Sequence, residues 1–204
     1  MESEVIIVKN DETGLNDALD LTTELARQHQ LSKKDEIRLR LLAEELFGAV
    51  NAVTKEFSAK YWVDLDDDKA RINLEAETSM DIEKKLNLVD MSTNGRNEAS
   101  KGLMGRIFDI VEYIMFVPAD TVTFDMAQLH ASTNQMGCYA GGVSPEYIWS
   151  LEQYRNDVKT AYENNEAQEE WDELEKSIIA NIADDVKVWV EGDSVRLLIE
   201  KNIN

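Results

Sequence analysis

Few residues in this chain are set up for chemistry. The run Lys101-Gly102-Leu103-Met104-Gly105-Arg106 places two glycines and two cations where an apolar helical pattern begins. Glycine lets backbone N–H groups come close to a ligand, and a helix N-terminus favours an anion, so the run suits a phosphate or another anionic group. The polar stretch Ser92 to Lys101 precedes it, has almost nothing to bury, and contains the turn dipeptide Asn94-Gly95. A second candidate is Glu45, which lies at the edge of the longest apolar stripe. A carboxylate there is either an ordinary solvated helix residue or a base turned toward a site. His29 and His130 have no convincing ligand partners, and Cys138 suits a small apolar filler. No nucleophile elbow, P-loop, zinc-spaced cluster or dinucleotide fingerprint occurs, and no metal ligand set is predicted.

The elements that must position these residues can be read from periodicity. Glu4 to Val8 predicts a short strand, and Gly14 to Gln30 a helix with Leu15, Leu19, Leu21 and Leu25 on one side. Ser32 is an N-cap candidate with Asp35 three residues on, an acidic variant of a capping box. The helix it opens, Ser32 to Phe57, carries Leu39, Leu42, Leu46, Ala49, Val50, Val53 and Phe57 in a single stripe. Lys60 to Asp66 and Ala70 to Thr78 alternate around an acidic turn and predict a hairpin. Gly102 opens a further helix that Pro118 ends, and Thr121 to Asp125 predicts a strand. Val186 to Val190 and Ser194 to Glu200 predict a closing hairpin. Between the Thr121 to Asp125 strand and this hairpin, Ala127 to Asp185 is an insertion whose second half, from Pro145, predicts two amphipathic helices separated by the acidic Glu163 to Glu170. Its aromatics, Tyr147, Trp149, Tyr154, Tyr162 and Trp171, suit core anchors or else a protein-recognition surface.

Composition narrows the function classes. The chain has 204 residues, 41 acidic against 21 basic, for a formal charge of −20. Such a field repels nucleic acid and anionic lipid, and no basic patch strong enough to override it occurs. No window is long and apolar enough for a membrane span, and the start Met1-Glu2-Ser3-Glu4 is unlike a signal peptide. A cytoplasmic protein without membrane or nucleic-acid partners is expected. The absence of repeats and low-complexity linkers predicts a single domain over 1–204, with 127–185 as an insertion within it.

The order strand, helix, long helix, hairpin, polar loop, glycine-opened helix, strand and closing hairpin resembles the ATP-binding domain of the GHKL, or histidine-kinase-type, ATPases. The small anti-sigma-factor serine kinases are the nearest in build. Ala43-Glu44-Glu45-Leu46 is similar to the start of the family's asparagine box. Lys101 to Arg106, followed by Ile110-Val111-Glu112, is similar to its glycine-rich box. The resemblance covers Leu15 to Val117 and the last hairpin. It implies an α/β fold of the α+β two-layer sandwich type: a mixed sheet covered on one face by helices, with the helical insertion before the last hairpin.

For the site, the resemblance implies ATP or ADP as ligand, Glu45 as the base that activates the attacking group, and nucleotide contacts from Glu77, Asn94, Gly95, Lys101, Gly102, Leu103, Gly105 and Arg106. It also implies a protein partner, sigma-factor-like or another regulator. Two boxes depart from the pattern. The family ligates Mg²⁺ through an asparagine one turn after the glutamate, and this chain has Ala49 there, while Asn51 falls about 200° further round the helix. The adenine box, Asp-x-Gly-x-Gly in the family, is replaced by Glu77-Thr78-Ser79-Met80-Asp81, which lacks both glycines. The expectation is a degenerate nucleotide-binding module that regulates through a protein partner, the alternative being an active ATP-dependent serine kinase or ATPase.

Overall fold

The structure is a computed structural model that describes residues 1–9, 13–53, 58–77, 103, 149–164, 167–191 and 194–203. In chain order its elements are β1 (Ile6–Lys9), α1 (Leu15–Gln28), α2 (Lys33–Val53), β2 (Ser58–Leu65), β3 (Lys69–Glu77), β4 (Trp149–Ser150), α3 (Leu151–Glu163), α4 (Gln168–Lys176), α5 (Ile178–Ile182), β5 (Asp185–Glu191) and β6 (Ser194–Asn202). The six strands form one sheet in the order β1-β2-β3-β6-β5-β4. Every described pairing is antiparallel, so the expectation of a mixed sheet is corrected. The reason is local. Both hairpins make antiparallel pairs by construction, and β6 returns beside β3 in the opposite sense.

Strand alternation sets the two faces. Ala59, Tyr61, Val63 and Leu65 of β2 stand in register with Ala76, Leu74, Ile72 and Ala70 of β3. Val195, Leu197 and Ile199 of β6 continue three of those rows. All of these are buried. Helices α1 and α2 close this face. Phe47 of α2 meets the Tyr61 ring at 5.0 Å between centroids, and Thr22 of α1 shares a 2.6 Å hydrogen bond with the Tyr61 hydroxyl. Burial raises the Tyr61 pKa, so that hydroxyl stays protonated. The predicted stripe of α2 holds where its side chains are described, since Leu39, Leu42 and Leu46 are fully buried, with Ala43 and Phe47 beside them.

Ends of elements follow the expected chemistry. The Ser32 hydroxyl accepts the Asp35 N–H at 3.1 Å and donates to the Asp35 carboxylate at 2.6 Å, which opens α2 as the Ser/Asp spacing predicts. Gly14 precedes α1 with φ +76°, and a Cβ there would lie 2.1 Å from the Ile7 carbonyl oxygen, so only glycine fits.

The described part of the insertion joins the same apolar cluster through Leu151, Val158, Leu174 and Ile179. It differs from its sequence expectation in two ways. Trp149 and Ser150 form an edge strand paired with Val188 and Lys187. The second expected helix is two, because Ser177 is extended and its hydroxyl accepts the Ala180 N–H at 3.2 Å, starting α5 anew. The Arg155 guanidinium fastens the insertion by donating to the carbonyls of Asp184 (2.8 Å), Ala183 (3.0 Å) and Ala180. The Asp185 carboxylate accepts the N–H groups of Glu152 and Val186, both at 2.9 Å.

Candidate functional site

Glu45 sits on α2, half-buried, directly before the buried Leu46. Among the described residues its carboxylate makes no hydrogen bond or ion pair. Its neighbour Glu44 is a surface residue that takes a 3.0 Å ion pair from Arg40, whose other contacts reach Asp20 and Thr23 of α1. The two adjacent carboxylates therefore differ: Glu44 holds Arg40, which ties α2 to α1, and Glu45 has no such partner among the described residues. Helix α2 runs unbroken from Lys33 to Val53, so position 49 follows Glu45 by one turn of continuous helix. That position is alanine, which offers no oxygen to a cation.

Glu77 ends β3 in register with Ser58 of β2 and Ser194 of β6, and Ser194 is in turn paired with Glu191 of β5. This row marks the end of the sheet at which β2 begins, with four residues between it and the end of α2. Leu103 is buried with 2% exposure in the main apolar cluster, so its side chain packs in the core. The remaining predicted ligand residues, Asn94, Gly95, Lys101, Gly102, Gly105 and Arg106, lie outside the described residues. So do the Ser92 to Lys101 loop, the helix after Leu103 and the strand expected at Thr121 to Asp125. Among the described residues no group of three His, Cys, Asp or Glu side chains is arranged to hold a metal ion, and no described helix is long and apolar enough to cross a membrane.

A constellation that sequence reasoning passed over lies on the sheet face opposite α1 and α2. Arg196 of β6 is exposed, with its guanidinium 5.6 Å from the Trp62 ring centroid and 5.4 Å from that of Trp189. Register explains the placement, because Arg196 stands directly opposite Trp189, while Trp62 is in the adjacent row with Asn73 and Leu198. Asn73 is buried, donates from its amide to Asp64 at 2.9 Å and accepts from Arg196 at 3.2 Å. A signal for this was present. Trp62 and Trp189 occupy the outward phase of strands whose apolar residues otherwise face the helices.

Around that centre the same face carries paired charges. Lys60 reaches Glu75 at 2.9 Å, and Glu200 gathers Lys187 (3.0 Å), Lys69 (3.6 Å) and Arg71 (3.7 Å). Arg71 also pairs with Asp66, and that hydrogen bond holds the Asp66 carboxyl below the usual carboxylate range. On α3, by contrast, burial alone pushes the Asp157 carboxyl up.

Comparison of the chain with protein-family models and with curated proteins finds no match.

Proposed function

We propose that this chain is a regulatory module built like a GHKL ATPase domain, which works through a protein partner and does not turn over ATP. The observation that carries the reading is Ala49 at the turn after Glu45 on an uninterrupted α2. Phosphoryl transfer depends almost wholly on positioning and on neutralising the charge of the migrating group, and Mg²⁺ supplies most of that neutralisation. With a methyl group where the family pattern has a ligand oxygen, Glu45 has no ion to work beside. The missing glycines after Glu77 point the same way, since a backbone without them keeps its distance from a base. The glycine-flanked cations Lys101 and Arg106 would still hold an anionic group weakly, since a helix N-terminus contributes only about 0.3–1 kcal/mol when exposed.

Calorimetric titration with ATP, run with and without Mg²⁺ and followed by a phosphate-release assay, tests this. Weak binding that Mg²⁺ leaves unchanged, with no phosphate released, is the expected result. Tight Mg²⁺-dependent binding with turnover would replace the reading with that of an ATP-dependent serine kinase or ATPase using Glu45 as base.

A further inference from the structure

We infer that the outward face of α2 docks antiparallel onto the same face of a second copy of the chain. This rests on the reading of the chain as a module that does not turn over ATP, since a working nucleotide site would occupy Glu45 instead. The spacing of five residues points to it. Lys34, Ile37, Leu41, Glu44 and Gly48 recur at intervals of three and four, so they form one seam on the side of the helix turned away from Leu39, Leu42 and Leu46. Four of the five are exposed, and Leu41 is half-buried. Ile37, at 55% exposure, is the most open large apolar side chain of the described helices.

Two charges on this face have no partner among the described residues, and their own helix cannot supply one. Lys33, Arg38 and Arg40 are paired with Glu36, Asp35 and Glu44, whereas Lys34 and Glu45 are paired with nothing. One turn to either side of Lys34 stand Gln30, Leu31, Ile37 and Arg38. One turn to either side of Glu45 stand Leu41, Leu42, Gly48 and Ala49, so neither charge meets its opposite along α2. A second copy turned antiparallel supplies both partners at once. A two-fold axis at the turn that holds Leu39 brings Lys34 of each copy to Glu45 of the other. The same axis sets Ile37 against Leu41, because both pairs are centred on that turn, and a seam that lacks what its own rotated copy carries suits an isologous contact.

Gly48 supplies an independent reason. A glycine inside a helix costs stability relative to alanine, and among the described residues nothing lies within 4 Å of the place a Cβ would take, so packing within the chain does not demand it. Counted from the same axis, Gly48 faces residues 30–32 of the second copy, the turn that precedes α2, and its bare backbone leaves that turn room. Charge permits the approach. Residues 33–48 carry four basic and four acidic side chains, so the contact is neutral although the chain carries −20. Charges beyond about 10 Å are screened at ordinary ionic strength. One helix pair is a small contact, at the transient end of protein interfaces, so the association is weak and reversible.

Sedimentation velocity of the full chain over a range of concentrations tests this. Reversible dimerisation is expected, and Lys34→Glu and Glu45→Lys should each weaken it at least tenfold. An equimolar mixture of those two variants should form a heterodimer as tight as the natural dimer, because both seam charges then meet their opposites again. Gly48→Leu should also weaken the dimer while the urea midpoint holds or rises, which separates loss of the contact from loss of the fold. A monomer at every concentration, a dimer indifferent to Lys34→Glu and Glu45→Lys, or a mixture that stays monomeric would each overturn the assignment. Monomers without ATP turnover reject this seam and leave the module reading standing. Turnover of Mg²⁺-ATP that Glu45→Gln abolishes rejects the module reading, whatever the state of association.

Discussion

The two faces of the sheet are made from the same strands and are held by different physics. On the helix-covered face, rows such as Val63, Ile72 and Ile199 are apolar from strand to strand and fully buried, so their contribution scales with area removed from water. On the opposite face, the rows between them read Asp64, Arg71, Glu200 and Trp62, Asn73, Leu198. There the neighbours are joined by hydrogen bonds, ion pairs and ring contacts, with Asn73 and Leu198 buried and the charged residues around them partly exposed. The comparison teaches that alternation fixes only one face as core. The other is free to acquire a surface chemistry without endangering the fold.

The largest test of that difference is Leu74→Ala, which empties a fully buried site on the helix-covered face. Urea denaturation should show a loss of about 2–5 kcal/mol. Asn73→Ala, one residue away on the opposite face, should cost less, about 1–3 kcal/mol, by leaving Asp64 and Arg196 short of a partner. If Asn73→Ala proved as damaging as Leu74→Ala, the division into a packing face and a surface-chemistry face would fail. Arg196→Gln should be milder again, about 0.5–1 kcal/mol, the range of an exposed cation–π contact. A loss of several kcal/mol would make Arg196 a structural clamp.

The smallest expected effect is a dependence on pH. The Arg71 hydrogen bond and charge depress the Asp66 carboxyl in the folded state. A depressed folded pKa stabilises above the unfolded value, about 3.9, and that stabilisation is lost as pH falls through the lower folded value. The urea midpoint of the natural protein should therefore drop below about pH 4, and the drop should be smaller in Arg71→Gln. An equal acid sensitivity in both would remove Asp66 from the account.

Where periodicity was long, the sequence foretold the structure well. The stripe Leu39, Leu42 and Leu46 marked α2, the alternation in β2, β3, β5 and β6 marked both hairpins, and Ser32 with Asp35 marked a helix start. Short or interrupted signals were harder. Two residues, Trp149 and Ser150, cannot show alternation, so β4 became visible only through its pairing with β5. Ser177 breaks a continuous apolar pattern by capping, and that competes with helix continuation only once the chain is packed. Strand direction in the sheet depends on which neighbours meet, and no single strand records it. Of the candidate site, the position of Glu45 and the absence of an oxygen one turn later were legible, whereas the core placement of Leu103 was not separable from a ligand role. The Arg196 cluster escaped because its members lie far apart in the chain, at 62, 73, 189 and 196, and only register brings them together.

Gly14 has a consequence for how this protein behaves among its own copies. Strand β1 ends the sheet, and a terminal strand normally offers its outward N–H and C=O groups to any extended chain that passes. Here the turn before α1 lies against that edge: the Lys9 N–H donates to the Thr13 carbonyl at 3.0 Å, and the Gly14 backbone crowds the Ile7 carbonyl. A foreign strand cannot zip along β1 without first displacing the start of α1. Along Ile7 and Lys9 that edge is thus already occupied by the chain's own turn into α1.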